Sequence, residues 1–246
     1  ALKLTEASAK RHKDMEKKVM TTADFLLVTS PTTKKEFEAI TNKPIQVITN
    51  GYDVENVGRP ALDEKFTLAH IGSFLSGRNP RVLWKALREL TKENVEFRKH
   101  FELKLIGATS QEVLDAIEEF KLNTFVNNLG YVSHQEAVEQ QRKSQVLLLI
   151  EIDSEDTKSI IPGKLFEYMV SERPILAIGP KDADFSVILQ QTNTGTFALY
   201  DEKDKVKEII LKYFNLYLEQ NLKVYPVGLQ QYSRKNLTKE LAALLK

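Results

Sequence analysis

Three short segments of this chain hold side chains of the kind that bind phosphate or move charge. In the first, residues 70–81, Gly72 and Ser73 close an apolar run, Gly77 follows in a short loop, and Arg78 and Arg81 flank Pro80. Glycines let backbone approach a ligand, and an arginine just ahead of a helix offers a planar fork that matches phosphate. The plain structural alternative is a solvated arginine in an ordinary strand-to-helix loop. The second segment, residues 159–169, contains Ser159, Ile161, Pro162, Gly163, Lys164, Leu165 and Glu167. Pro162 suits the first turn of a helix, where the N–H groups of Gly163, Lys164 and Leu165 lack intrahelical acceptors and attract an anion. Lys164 adds a full positive charge there. Glu167 shares a helix face with Lys164, so a phosphate at the helix tip would bring a neighbouring diol within reach of its carboxylate. As mere surface chemistry, the same pair is worth a few tenths of a kcal/mol.

The third segment, residues 128–137, turns at Gly130, and the backbone of Gly130, Tyr131 and Val132 could hydrogen-bond the edge of a heterocycle. Ser133 reads as a helix N-cap with Glu136 at the capping-box position, which puts His134 in the first turn. A histidine in a capping region is more often structural than catalytic. His70 reads as a satisfied core residue within a strand, and His12 and His100 as solvated side chains. The acidic stretch Glu151, Asp153, Glu155 and Asp156 lacks the glycine and spacing of an EF-hand and reads as a solvated loop.

Other chemistries find no support. The sequence has no Walker phosphate loop, dinucleotide glycine turn, nucleophile elbow or HExxH pair. Cys is absent, which excludes disulfides, thiolate nucleophiles and cysteine-type metal sites. Lys plus Arg number 35 against 34 Asp plus Glu, so a formal charge of +1 supplies no bulk field for nucleic acid or an anionic membrane. The longest apolar run, 146–150, is far short of the roughly 18 residues of a membrane span, and no signal-peptide pattern is visible.

These segments need elements to position them. Apolar runs at 25–28, 45–48, 68–71, 103–106, 126–129, 146–150, 175–178 and 196–199 alternate with helical spacing, as in Val113, Ala116, Ile117 and Phe120. That alternation predicts an α/β fold with a doubly wound parallel sheet covered on both faces. Most runs end in Gly or a small polar residue, and ligands of such sheets bind at the carboxyl ends of the strands. Residues 1–58 hold two strands, too few to bury both faces, and read as the end of a second, acceptor-side domain. A linker at 59–65, a donor-binding unit at 66–224 and a closing helix in 225–246 complete the division. Ala1 opens directly into a charged helical stretch, which suggests a piece of a longer chain.

Taken in order, the segments resemble the C-terminal, donor-binding half of a GT-B glycosyltransferase of the large retaining family that uses nucleotide-sugars (glycosyl transferases group 1, family 4-like). Ala23-Asp-Phe-Leu-Leu-Val-Thr-Ser30 and Ile45-Gln-Val-Ile-Thr-Asn-Gly-Tyr-Asp53 are similar to the passage by which such enzymes leave their acceptor domain. Pro162-Gly-Lys-Leu-Phe-Glu-Tyr-Met, followed by Arg173-Pro-Ile-Leu-Ala177, resembles the corresponding block of sugar transferases of bacterial surface polysaccharides. The resemblance implies that Arg78 and Lys164 bind the diphosphate and that Glu167 holds the ribose hydroxyls. Backbone at 130–132 would read the base, while Gly72, Ser73, Ser159, Ile161, Pro162, Gly163 and Leu165 would line the donor pocket.

Two departures stand out. The family's Gly-Arg…Lys-Gly phosphate pair becomes Gly72-Ser73…Arg78, and the first glutamate of its E-x7-E pair is Ser159. The implied reaction transfers a sugar from a nucleoside-diphosphate sugar, a co-substrate, to a saccharide or lipid-linked acceptor, with no metal and no other cofactor. Arg78 and Lys164 would stabilise the negative charge growing on the leaving diphosphate. The expected setting is cytoplasmic polysaccharide or glycolipid synthesis at the inner face of a membrane, with peripheral association through the acceptor domain and no nucleic-acid partner. Competing readings are a nucleotide-sugar 2-epimerase of the same architecture and a non-catalytic nucleotide-binding module.

Overall fold

The structure, a computed structural model, describes residues 4–53, 58 and 60–245. Residues 54–57, at the end of the expected acceptor-side piece, and Arg59, the first of the expected linker, lie outside the described residues. The chain begins with α1 (Glu6–Thr22), β1 (Leu26–Val28), α2 (Pro31–Glu38) and β2 (Ile45–Val47). Thr5 caps α1 by accepting from the Ser8 N–H, and Ser30 caps α2 by accepting from Thr33, ahead of Pro31 in the first turn. β1 and β2 pair in parallel as a small sheet of their own.

The larger unit follows as β3 (Phe66–Ile71), α3 (Arg81–Glu93), α4 (Val95–His100), β4 (Phe101–Ile106), α5 (Gln111–Glu119), β5 (Val126–Gly130) and α6 (His134–Lys143). It continues with β6 (Val146–Ile150), α7 (Gly163–Met169), β7 (Ile175–Gly179), α8 (Asp184–Thr192), β8 (Gly195–Leu199), α9 (Lys203–Leu218) and α10 (Arg234–Leu244). Every expected strand is present. Strands β3 to β8 form one six-stranded sheet in the order β5-β4-β3-β6-β7-β8, all neighbours parallel. Connections run outward in opposite directions from the central pair β3 and β6, so the topological switch lies between them.

The pleat divides the core into two clusters. Phe66, Leu68, Leu103, Leu105, Leu148 and Ile178 point to the face covered by α3, α5 and α9, where Trp84, Val113 and Phe214 are buried. Ala69, Ile71, Leu147, Leu149, Ile175 and Ala177 point to the face covered by α7 and α8, where Phe166, Tyr168 and Phe185 are buried. Full burial of such side chains contributes about 1.5–3 kcal/mol each, and burial on both faces explains why the strands read as continuous apolar runs.

Among the described residues, hydrogen bonds tie the small β1/β2 piece to the large unit near Thr32, near Tyr52 and at Gly58, whose carbonyl accepts from Arg142 at 3.4 Å. The N–H and hydroxyl of Thr32 donate to Asp184 at 3.0 and 2.9 Å, joining the first turn of α2 to the start of α8. The Tyr52 N–H donates to the Tyr232 carbonyl at 3.1 Å, the Arg234 N–H donates to the Tyr52 carbonyl at 2.9 Å, and Arg234 pairs with Asp53 at 2.7 Å. Gly51 is required at this crossing, since a Cβ would lie 2.6 Å from Leu237 Cδ1 and press on the Tyr232 carbonyl. Among the described residues no helix is long and apolar enough to cross a membrane.

Candidate active site

Because all six strands run the same way, Gly72 after β3, Gly107 after β4, Gly130 at the end of β5 and the loop from Glu151 to Pro162 after β6 share one sheet edge. Gly72 has φ +112°, and a Cβ there would lie 2.6 Å from Lys164 Cε, so the lysine side chain lies directly across that glycine. Gly107, at φ +109°, packs as tightly, with a Cβ position 2.7 Å from the Gly72 carbonyl oxygen. Only glycine combines these backbone angles with so close an approach.

The loop between β3 and α3 is held at several points. The N–H groups of Gly72 and Phe74 donate to Ile106 and Ala108 at 2.6 and 2.7 Å, and the Phe74 carbonyl accepts from Ser110 at 2.9 Å. The Phe74 ring stacks on His70 with centroids 4.0 Å apart and packs against Trp84, whose indole N–H donates to Asn79 at 2.7 Å. Pro80 is the N-cap residue of α3, one position ahead of the expected first turn.

Arg78 extends from this loop across the switch point to Glu151, which directly follows β6. Its Nε and Nη2 donate to Glu151 Oε1 at 3.3 and 3.2 Å. Glu151 is 1% exposed, and its carboxylate also accepts from the Ile152 N–H at 2.8 Å. This corrects the expectation of a solvated acidic loop: the residue directly following a fully buried strand has no path to water, and its charge is met by the arginine. Asp153, Glu155 and Asp156 do project to solvent or its margin, and Glu155 pairs with Lys158 at 2.8 Å.

Lys164 lies at the meeting point of these charges. Burial, and then the Arg78 guanidinium, lower its pKa to about 8, against the opposing pull of Glu167 and Glu151. The Lys164 side chain, lying across Gly72, is thus within electrostatic reach of all three groups. Glu167 lies one turn further along α7 and accepts from Gln141 of α6 at 3.1 Å. Beneath them His70 is 3% exposed, and burial, with the charges of Lys164 and Arg78, holds its pKa well below the usual imidazole range. His70 is thus in the core as expected, with its ring stacked on Phe74.

The donors of α7 differ in one respect from the sequence reading. Pro162 is the N-cap residue, and the Leu165 N–H already donates to its carbonyl at 3.0 Å, leaving the Gly163 and Lys164 N–H groups as the open donors. Leu165 and Ile161 are buried in the core cluster on this face, so any contact they make with a ligand is through backbone. Ser159 is half-buried, and Ser73 is exposed beside Gly72.

On the β5 side, Ser133 caps α6 by accepting from Glu136 at 3.2 Å. Gly130 has φ +63° and open space where a Cβ would stand. Tyr131 is 93% exposed, and Val132 packs against the core. His134, Val138 and Gln141 of α6 line a cavity of about 360 Å³ together with Glu167 of α7, Val170 and Ser171 just after it, and Gly51, Tyr52, Asp53 and Arg234. The structure therefore brings Arg78, Lys164, Glu167 and the glycine turns to one edge. It leaves Arg81 out, paired with Glu119 on the outer surface. Sequence reasoning missed Glu151, which directly follows the apolar run of β6, and left His70, inside the run of β3, as a core residue only.

No protein-family profile and no curated protein sequence matches this chain. Solved structures do. TarM of S. aureus, in a mutant form complexed with fondaparinux, alpha-GlcNAc-glycerol and UDP, superposes with a TM-score of 0.68 at 14% identity, over 100% of this chain and 48% of that one. The lipopolysaccharide outer core galactosyltransferase WaaB gives 0.66 at 17% identity, over 91% of this chain and 62% of its own. HepE of Anabaena, complexed with UDP and glucose, gives 0.66 at 15% identity, over 91% of this chain and 63% of its own. The chain thus spans between 48% and 63% of these neighbours. By these likenesses the six-stranded unit and the piece that precedes it have the fold of the GT-B glycosyltransferases.

Proposed function

We propose that this chain is the donor-binding half of a glycosyltransferase that takes a sugar from a nucleoside-diphosphate sugar. The observation that carries the reading is the convergence of Arg78, Lys164 and Glu167 on the switch point between β3 and β6, where α/β sheets of this order bind their ligands. In this reading the diphosphate lies over Gly72 against Lys164 and Arg78, the ribose diol meets Glu167, and the base lies along the backbone at 130–132.

Breaking the bond between sugar and phosphate leaves growing negative charge on the diphosphate. Two fixed cations in a half-buried site stabilise that charge without reorganising at the moment of reaction. Lys164 starts with its charged form disfavoured by burial, so an added anion beside it restores ordinary ammonium character. Its interaction with the ligand therefore strengthens as charge develops, which is what lowers a barrier. With two cations in place, we expect no metal requirement.

The finer assignments belong to the same proposal: 1–58 as the end of an acceptor-side domain, 59–65 as linker, 66–224 as donor unit and 225–246 as the returning segment. So do a saccharide or lipid-linked acceptor, polysaccharide or glycolipid synthesis, and a cytoplasmic setting at the inner membrane face. Several neighbours are complexes with UDP, so uridine diphosphate is the first probe. Titration calorimetry should show one site per chain, with no sugar transfer to added acceptors by this chain alone. Absence of binding to uridine, adenosine and guanosine diphosphates would overturn the reading.

A further inference from the structure

We propose that Glu151 is a positioning residue for the diphosphate site: it grips Arg78 by the Nε–Nη2 edge and so leaves Nη1 to meet the phosphate. The inference rests on the donor-site reading above and adds a residue to it that neither the family pattern nor the neighbours assign.

The geometry separates a mount from a chance ion pair. Arg78 follows Gly77, at φ +86°, in an exposed loop, and its side chain is still 29% exposed. Left alone, an arginine there would sample many rotamers, a freedom that binding must remove. Glu151 is held on all sides. It follows a strand whose residues are all buried, its Oε1 accepts from the Ile152 N–H at 2.8 Å, and its carbonyl accepts from the Tyr200 hydroxyl at 2.8 Å. A fixed carboxylate therefore holds a mobile guanidinium. Both Arg78 bonds to Oε1 come from one edge of the fork, Nε and Nη2. Burying a carboxylate at this spot gains little stability over an apolar side chain, so the orientation of Arg78 is the effect left to explain it.

Inorganic pyrophosphate and uridine diphosphate test this by titration calorimetry on the intact chain, with thermal unfolding as the folding control. Glu151→Gln keeps the shape, and Glu151→Met is the apolar second variant in case the amide folds poorly. Both should weaken each ligand at least about fivefold while the fold persists. Combined with Arg78→Ala, the same substitutions should change affinity less than about twofold, since nothing is left to position. In ¹⁵N spectra of the unliganded chain, the protected Nε–H resonance of Arg78 should vanish with Glu151→Met. Wild-type affinity in a folded Glu151→Met variant overturns the inference, as does an equal loss with and without Arg78, which marks a purely structural role. If the wild-type chain binds neither ligand, the donor-site reading itself fails and takes this inference with it.

Discussion

The two sides of the sheet's carboxyl edge are built on opposite principles. Around Gly72 the groups are buried, charged and tied: Lys164 lies across a glycine, Arg78 is clamped to Glu151, and Phe74 is stacked between His70 and Trp84. Around Gly130 the turn is open, Tyr131 stands in solvent, and the α6 groups facing Glu167 border a cavity. A diphosphate concentrates negative charge in a small volume, so a rigid site with its cations already in place serves it well. The open side can form its contacts when a ligand arrives. The difference teaches where affinity should reside: in side chains on one side and in backbone on the other.

The sharpest break of that contrast is Lys164→Met. It removes a cation and a charge-assisted bond worth about 1.5–3 kcal/mol, so affinity for uridine diphosphate should fall about 100-fold in calorimetry. The same variant should unfold at a higher temperature. Because the pKa of Lys164 is lowered to about 8 in the fold, burial of its charge costs stability below that pH. The cost is relieved as pH rises from 8 toward the unfolded value, and the methionine variant should lack this rise. Unchanged affinity would move the phosphate site elsewhere.

Glu167→Gln comes next. If the carboxylate holds a diol, losing its charge should cost about tenfold in affinity. If it only partners Gln141, binding should stay constant while stability dips slightly.

A pH series gives the third test. As Lys164 loses its proton, affinity for the diphosphate should fall as pH rises from 7 to 9, by up to about tenfold, where an ordinary lysine would hold its charge. The fall should be absent in Lys164→Met. A flat profile in the wild type would mean that the ligand does not meet this amine.

The smallest effect belongs to the open side. Tyr131→Ala should change uridine diphosphate affinity less than about twofold if backbone reads the base. A loss of tenfold or more would show that the ring closes over the ligand, and would make the two sides alike.

Much of this arrangement was legible in the residues. The apolar runs located every strand, because strands covered on both faces are mostly apolar, and their glycine ends located the edge. Arg78, Lys164 and Glu167 were recognisable from type and spacing. Glu151 was not, since an acidic residue heading an acidic stretch looks solvated until the neighbouring strand is known to be β3. His70 was hidden for the converse reason. Strand parity puts it in the core with Phe66 and Leu68, and only the fold brings Lys164 and Arg78 over it. Pairings between distant segments are what local patterns leave out.

The crossing of Tyr52 with Tyr232 and Arg234 carries a mechanical consequence. Residues 60–231 leave and return at the same point, so a pull between the two ends of the chain does not pass through the six-stranded sheet. It loads the clasp of Gly51–Asp53 against residues 232–234, with its pair of backbone hydrogen bonds and one exposed ion pair. The sheet is a shielded loop behind that clasp, and stays slack until the clasp has parted. The element preceding the clasp is held a second time where Thr32 donates to Asp184, so the two ties together fix its seat on the larger unit.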